Sequence, residues 1–229
     1  MEGEKVVTEA LGSLKAGLEQ LIVGESFLAT RQSWLRGLKF PFEKISVLSD
    51  KDVSWLSGMH TPPGVFAVAK RPMHAMEFME QENLAAYFYG VSDPGNLGTM
   101  LRTAEWFGIK TVVVAGDGVD PYNEKVVRAA MGSLFRLNVV IGGEPSDDLR
   151  ILKRQGFTLL ATDVHGNSAA LPSSAKICLI MGSESHGLPH EVMALADRTY
   201  TIPGFGQAES LNVAVSFGIV LHHIRTLSA

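Results

Sequence analysis

The sequence has little cysteine and no long apolar run. Its 229 residues include a single cysteine, Cys178, which excludes an internal disulfide framework and is typical of a reducing compartment. No apolar stretch approaches the ~20 residues that cross a bilayer, and the N-terminus lacks the basic-then-apolar pattern of a secretory signal. These absences predict a cytoplasmic protein that does not enter a membrane. The apolar run around Cys178 predicts a buried core thiol rather than a nucleophile.

Several familiar site signatures are also missing. The sequence contains no G-x-G-x-x-G and no G-x-x-x-x-G-K-[ST], so dinucleotide and nucleoside-triphosphate sites are poorly supported. No serine lies in a G-x-S-x-G elbow. The seven histidines show no metal-binding spacing: His186 and His190 are four residues apart, but Leu188-Pro189 lies between them. We therefore expect no metal.

The net charge of −4 gives no general argument for nucleic acid. Residues 1–72 carry nine basic and eight acidic side chains, whereas residues 73–229 carry eleven and sixteen. Any RNA must therefore be held by local basic patches rather than by the overall field. Candidate residues near the start and at the junction are Arg31, Arg36, Lys39, Lys70 and Arg71, although each of them is equally compatible with an ordinary solvated surface.

The first part of the chain has the pattern of a small α/β unit. Its three apolar runs of strand length are 20–23, 45–49 and 64–69. Thr61-Pro62-Pro63-Gly64 marks a turn, and Arg71-Pro72 closes the segment. We predict a domain over residues 1–72, followed by a polar, Met-rich linker over 73–83.

Beyond the linker, continuous apolar runs alternate with helical patterns. The predicted strands are 84–90, 111–116, 136–142, 157–162, 176–182 and 198–204. Such runs predict a mostly parallel sheet covered by helices on both faces, so residues 84–229 should form an α/β domain. The last helix, over 209–228, is apolar nearly all round, which predicts burial in the domain or against a second subunit.

Three strand ends carry unusual residues, and ligands of open α/β sheets collect at such ends. In the first loop, Asn96 could cap the following helix, and Arg102 should lie near the exposed side of that helix. In the second, Glu184 lies between Gly182 and Gly187, a turn suited to a cationic ligand. In the third, Ser210 precedes the last helix, where it could act as an N-cap. Each loop alone also has a purely structural explanation.

Taken together, the three loops resemble the motifs of the SpoU family of RNA ribose methyltransferases, also called the TrmH family. Motif one is matched by Asn96, Gly98, Arg102, Ala104, Phe107 and Gly108. Motif two is matched by Gly182, Glu184 and Gly187. Motif three is matched by Ile202, Pro203, Gly206 and 210–213. Residues 1–72 more loosely resemble the L30e-like substrate-binding domain of that family.

The resemblance implies an S-adenosylmethionine-dependent RNA 2′-O-ribose methyltransferase with a deep C-terminal trefoil knot. It also implies a homodimer formed through the knot domain. The implied catalytic residues are Arg102, Asn96, Glu184, Ser210 and Asn212. The implied cofactor-binding residues are Thr162, Met181, Gly182, Gly187, Ile202, Gly206 and Leu211.

The expected substrate is ribosomal RNA, with transfer RNA as the alternative within the same class. A catalytically silent RNA-binding module and a small-molecule-binding α/β protein are the competing interpretations. The set Asn96, Arg102, Glu184 and Asn212 argues against a silent relative. The L30e-like domain and the lack of a phosphate loop argue against the small-molecule protein.

Overall fold

The structure is a computed structural model that describes residues 1–79, 81–164, 166 and 176–227. The chain divides into two compact units, Met1–Pro72 and Met73–Ala229. Within the described residues, no helix is long and apolar enough to cross a membrane.

The first unit is built around a three-stranded sheet in the order β2-β1-β3. Its strands are β1 Leu18–Gly24, β2 Ile45–Leu48 and β3 Val65–Ala69, and its helices are α1 Glu4–Leu11, α2 Glu25–Thr30, α3 Gln32–Arg36 and α4 Asp50–Leu56. Strand β1 pairs parallel with β2 and antiparallel with β3. Alternate residues of β1, Leu21 and Val23, enter a small core together with Val7, Leu35 and Val65.

The second unit contains a six-stranded sheet in the order β6-β5-β4-β8-β7-β9. Its strands are β4 Leu84–Tyr89, β5 Thr111–Ala115, β6 Asn138–Ile141, β7 Thr158–Thr162, β8 Ile177–Met181 and β9 Arg198–Tyr200. Its helices are α5 Pro94–Trp106, α6 Glu124–Ala129, α7 Pro145–Arg154, α8 His190–Leu195 and α9 Val213–Leu227. Every pairing between neighbouring strands is parallel.

The central strands explain the continuous apolar runs of the sequence. All residues of β5 and β8 are buried, because helices cover both faces of a parallel sheet. Cys178 is fully buried in β8, and its burial raises the pKa of the thiol. The prediction of a core cysteine is therefore confirmed, as is the α/β class with a mostly parallel sheet.

Two segments differ from the sequence prediction. The predicted strand 198–204 ends at Tyr200, and Pro203, which lacks a donor for the ladder, lies in the exposed loop beyond it. The stretch 73–83, expected as a linker, belongs to the second unit and contains a short 3₁₀ helix, Met76–Met79. Met76 and Met79 are buried in the main core, so this stretch packs rather than merely connects.

Candidate active site

The carboxyl ends of β4, β8, β7 and β9 lie side by side in the sheet. The loop after β4 leads into α5, the loop after β8 leads to α8, and the loop after β9 leads into α9. Because parallel strands end at one edge of the sheet, the three loops meet there.

The first loop is fixed by the start of α5. Asp93 caps this helix by accepting a hydrogen bond from the Asn96 backbone N–H at 2.7 Å, and Pro94 occupies the first turn. The expectation that Asn96 caps the helix is therefore wrong. Since Asp93 does so, the Asn96 side chain is free to point out of the first turn.

Helix α5 separates a packing face from an exposed face. Leu97, Leu101 and Ala104 are fully buried, as expected, and Arg102 is exposed. Gly98 allows α5 to approach α6 closely, because a Cβ at this position would lie 2.4 Å from the Cβ of Ala129. This motif glycine has a packing role.

The second loop folds back on itself just after β8. Ser183 and Gly187 exchange backbone hydrogen bonds of 3.1 and 3.0 Å. A Cβ on Gly182 would lie 2.3 Å from the Gly187 carbonyl carbon, and Gly187 has a φ of +64°. Both glycines are therefore required by the turn itself, which presents Glu184 at its exposed tip.

A chain of hydrogen bonds joins the three loops. The Asn96 Nδ2 donates to Glu184 Oε1 at 2.8 Å, and the Asn212 Nδ2 donates to Asn96 Oδ1 at 2.9 Å. The Asn212 Oδ1 accepts from the backbone N–H groups of Ala214 and Val215 at 2.9 and 3.3 Å. This chain of contacts, from the start of α9 through Asn212 and Asn96 to Glu184, is called the amide relay below.

The relay acts on the charge of Glu184. Partial burial raises the pKa of this carboxyl, but the hydrogen bonds from Asn96 and from backbone N–H groups outweigh it, so the net pKa is lowered. Ser92 contributes its backbone N–H at 3.4 Å to Glu184 Oε2. The geometry therefore favours an ionised carboxylate at the meeting point of the loops.

The third loop is exposed from Pro203 to Asn212. Helix α9 begins at Val213, and Asn212 caps it. The backbone carbonyl of Asn212 accepts a hydrogen bond from the Ser216 N–H, and its side-chain oxygen accepts from the N–H groups of Ala214 and Val215. The structural alternative of Ser210 as N-cap is therefore wrong. Ser210 is exposed and lies two residues before the cap.

The residues expected to bind a cofactor fall into two groups. Thr162 and Met181 end neighbouring strands, and the Thr162 hydroxyl lies 3.5 Å from the Met181 sulfur. Ile202 follows β9, where Asp163 N–H donates to the Tyr200 carbonyl at 3.2 Å. These residues, with Gly182 and Gly187, share one edge of the sheet.

Gly206 and Leu211 belong to the exposed third loop. A Cβ on Gly206 would meet nothing within 4 Å, and 48% of Leu211 is exposed.

Arg102 is not part of the relay. Across the described residues its side chain makes no hydrogen bond or ion pair. It lies about 9 Å further along the α5 axis than Asn96, given the helical rise of ~1.5 Å per residue. The guanidinium is thus available to an external anion.

Next to the relay lies a pocket of about 360 Å³ that the sequence did not predict. It is lined by residues from the ends of β4, β5 and β8, namely Tyr89, Gly90, Ser92, Asp117, Ser183, Ser185, His186, Gly187 and Pro189. Ser92 both lines this pocket and contacts Glu184, so the two features adjoin. The sequence signal that could have indicated this pocket is Asp117, which lies between two glycines just after β5.

No group of three or more His, Cys, Asp or Glu side chains could hold a metal ion in the part of the chain that the structure describes.

The comparison with known families decides the affiliation. The model of the SpoU rRNA Methylase family matches residues 83–222, which is more than half of the chain and covers all three loops. The chain belongs to the SpoU family. The resemblance inferred from the motifs is confirmed.

Relatives match along almost the whole chain. The 23S rRNA (guanosine(2553)-2′-O)-methyltransferase RlmP of Bacillus subtilis is 33% identical over 229 residues, covering 98% of this chain and 87% of its own. An AdoMet-bound rRNA methyltransferase from Sinorhizobium meliloti has a TM-score of 0.80 at 28% identity, covering 99% and 86%. The SpoU methyltransferase AviRb from Streptomyces viridochromogenes, with AdoMet, has a TM-score of 0.85 at 24% identity, covering 100% and 90%.

These matches confirm the SpoU-type fold, the methyltransferase activity and S-adenosylmethionine as the cofactor. The connection between β7 and β8, on which the path of the expected knot depends, includes residues 167–175, which lie outside the described residues.

Proposed function

We propose that this protein transfers a methyl group from S-adenosylmethionine to a ribose 2′-hydroxyl of ribosomal RNA in the cytoplasm. The observation that carries the proposal is the amide relay, which gathers Asn96, Glu184 and Asn212 from three sequence motifs at one sheet edge. The Bacillus relative is named for this reaction on 23S rRNA, and a Streptomyces viridochromogenes relative, 31% identical over 189 residues, is named for a 23S uridine.

The residues at the sheet edge fit a cationic cofactor with an adenosyl group. Glu184 has a lowered pKa and so stays a carboxylate beside the site. Backbone around Gly182, Ile202 and Leu211 would hold the adenosyl group, with Thr162, Met181, Gly187 and Gly206 around it. When bound, S-adenosylmethionine supplies a methyl group on a positively charged sulfur.

Arg102 has the central role in the proposed mechanism. A guanidinium is almost always protonated, so it serves poorly as a base and well as an anion contact. We assign it to the target phosphate and the 2′-oxygen, where its charge stabilises the developing alkoxide. With S-adenosylmethionine bound, the 2′-oxygen would accept its methyl group, the cofactor would leave as the neutral thioether, and the hydroxyl proton would leave to solvent.

Asn96, Glu184, Asn212 and Ser210 are assigned to orienting the ribose and the arginine. The relay holds the first three in fixed positions, which keeps the reacting oxygen in line. Ser210 is exposed on the third loop, where its hydroxyl would be accessible to the substrate.

The test replaces Arg102 with alanine. We expect methyl transfer to RNA to fall by about 100-fold or more, the loss typical of one charge-stabilising group, while calorimetric binding of S-adenosylmethionine is unchanged. Arg150→Ala is the matched control, since Arg150 is exposed and pairs with Asp147 on α7. Full transfer by the Arg102 variant would reject the assignment, and intact RNA binding without transfer in the wild type would favour a silent module.

Transfer RNA remains the alternative substrate. A tRNA-modifying TrmH/SpoU enzyme from A. aeolicus has a TM-score of 0.56 and covers 64% of this chain. Incubating unmodified 23S rRNA, 16S rRNA and tRNA transcripts in parallel with labelled cofactor distinguishes the substrates. Label in tRNA alone would replace rRNA in the proposal.

We assign residues 1–72 to substrate RNA binding as an L30e-like domain. Arg31 and Lys70 form ion pairs with Glu4 and Glu19 at 3.0 Å each, so their charges are locally balanced. Arg36 and Lys39 are therefore the better candidates for phosphate contacts. Charge reversal at both should weaken RNA binding without changing cofactor affinity.

We further propose a homodimer through the second unit. On α9, Val215 and Ile219 are 51% and 41% exposed, and on the adjacent α5, Trp106 is 83% exposed. Such apolar exposure on packed helices is typical of an interface. Ile219→Glu should shift the sedimentation mass from dimer towards monomer, whereas Trp55→Glu, at an exposed tryptophan of the first unit, should not. A wild-type monomer at micromolar concentration would reject the dimer.

A further inference from the structure

The pocket beside the relay is placed on the substrate side of the site. The residues assigned to the cofactor follow β7, β8 and β9, whereas the pocket is lined from the ends of β4, β5 and β8, and Gly187 of the β8 turn belongs to both sets. Strand β8 lies between the two sets, with the Gly182–Gly187 turn at its end. A group in this pocket would thus lie across the Glu184 turn from the cofactor strands.

The pocket lining contains one carboxylate, that of the exposed Asp117, on a tightly held stretch of backbone. A Cβ on Gly116 would lie 2.9 Å from the Tyr89 ring, and one on Gly118 would lie 2.6 Å from the Val91 carbonyl oxygen. The Gly118 N–H donates to the Gly116 carbonyl at 2.8 Å. Tight packing on both sides therefore fixes the backbone that carries Asp117.

The Asp117 carboxylate has no partner among the described residues. Asp117 lines the pocket and makes no hydrogen bond or ion pair within the described residues. Its neighbours in the lining include His186, whose Nδ1 lies 2.7 Å from Ser185 Oγ, and Ser183, whose hydroxyl donates to the Gly187 carbonyl at 3.4 Å. In the tautomer in which Nδ1 accepts, Nε2 carries the hydrogen.

We propose that this pocket receives the base of the target nucleotide and that Asp117 selects guanine. The proposal rests on the RNA methyl transfer proposed above. A carboxylate only accepts hydrogen bonds. On its Watson–Crick edge guanine presents two adjacent donors, N1–H and the 2-amino group, whereas adenine, cytosine and uracil each present a single donor group there, with an acceptor beside it. Two parallel hydrogen bonds to one carboxylate therefore require guanine.

The remaining lining suits the rest of the base. Enzymes that act on an unstacked nucleotide read its Watson–Crick edge and stack its face on an aromatic side chain. Tyr89 supplies an aromatic ring, and the Nε2–H of His186 matches the O6 acceptor of guanine. The volume of about 360 Å³ lies in the range of small-ligand sites, about 300–1,000 Å³.

The experiment compares wild type, Asp117→Asn and the control Asp147→Asn. Asp147 is exposed on α7 and pairs with Arg150, outside the pocket. Unmodified 23S rRNA transcripts receive labelled methyl groups and are digested to nucleosides. We expect 2′-O-methylguanosine from wild type and control. For Asp117→Asn we expect kcat/KM to be lower by about 10- to 100-fold, the effect of one bidentate base contact, with unchanged cofactor binding and thermal midpoint.

A second transcript separates recognition from a structural effect. Inosine in place of guanosine removes the 2-amino group, so wild type should lose activity on it, while Asp117→Asn should lose little more. Both enzymes see the same RNA, so any change in RNA folding cancels in the comparison. Label in another nucleoside, full activity of Asp117→Asn, or equal inosine discrimination by both enzymes would overturn guanine selection and leave methyl transfer standing. No transfer to any RNA by wild type would overturn both.

Discussion

Replacing Asn96 with aspartate keeps the size of the side chain and removes its donor. In the wild type this donor lies 2.8 Å from Glu184 Oε1, so the variant places two carboxylates at that separation. Their repulsion is about 1.5 kcal/mol at the dielectric constant of water and about 6 kcal/mol at an effective value of 20. Since Glu184 is exposed, screening favours the lower end. Together with the loss of the hydrogen bond, this repulsion should make the free energy of unfolding of Asn96→Asp at pH 7.5 about 2 kcal/mol lower than that of the wild type.

The pH dependence gives the sharper test. In the wild type the pKa of Glu184 is lowered, so its contribution to stability is present above the ordinary glutamate range and is lost as pH falls through the folded pKa. In the variant, repulsion raises the pKa of the carboxylate pair. The folded state then binds more protons than the unfolded chain, and stability increases as pH falls from 7.5 to 5.5, by at most about 1.4 kcal/mol per pH unit.

The assay is urea unfolding of wild type, Asn96→Asp and Asn123→Asp at both pH values. Asn123 is the matched control because it caps α6 only by accepting the Lys125 N–H, which an aspartate also does. The gap between the two variants should be about 2 kcal/mol at pH 7.5 and at most half of that at pH 5.5. Equal stability at pH 7.5, or a gap that does not narrow, would refute the relay as a stabilising connection.

Three further outcomes follow from the packing. Gly98→Ala should lower the free energy of unfolding by about 1–2 kcal/mol because its Cβ meets α6, whereas Gly218→Ala, whose nearest neighbour would be 3.8 Å away, should raise it by about 0.5–1 kcal/mol. Gly182→Ala should weaken the binding of S-adenosylmethionine, measured by calorimetry, at least about tenfold, because displacing the turn needs to cost the complex only about 1.4 kcal/mol for that loss of affinity. Gly143→Ala is the control and should not weaken binding, because the nearest neighbour of its Cβ would be 3.8 Å away. Cys178 should react with a thiol reagent only after unfolding, because it is buried and its pKa is raised.

The sequence predicts the strands of the second unit well, but it predicts the ends of those strands less well. Every residue of β8 is buried, so its apolar run is uninterrupted and unmistakable. The segment 198–204 was also predicted as a strand, although it is more polar, and only Arg198–Tyr200 pairs with β7. Pairing depends on the partner strand, which ends at Thr162, and within 198–204 only Pro203 signals that the ladder stops early.

The first unit shows the opposite weakness. Its strands were predicted, but α1, α2 and α3 were not. Helices α2 and α3 are six and five residues long, too short for a clear apolar period, and neither has a side-chain cap. Such helices are stabilised by tertiary packing, as the burial of Leu35 in the core illustrates for α3. Tertiary packing cannot be predicted from a few neighbouring residues.

At the site, motif resemblance supplied the residues and the structure supplied their connections. Asn96 and Asn212 are 116 positions apart, and Asn96 and Glu184 are 88 apart. No spacing rule links side chains at such separations. The loops could be placed at one sheet edge, but the order of contacts, and the absence of Arg102 from them within the described residues, required coordinates. The roles of the site residues stay predictions.

The relay also explains why two asparagines stand in series. Each of these side chains accepts through its oxygen and donates through its nitrogen, which a carboxylate cannot do and which a hydroxyl does over a shorter reach. The series begins at backbone N–H groups of α9, the positive end of that helix, and ends on Glu184. Hydrogen bonds aligned in this way polarise one another. Asn212, which caps α9, therefore also holds the Asn96 amide that donates to the Glu184 carboxylate, so that helix capping and site geometry are linked through one side chain.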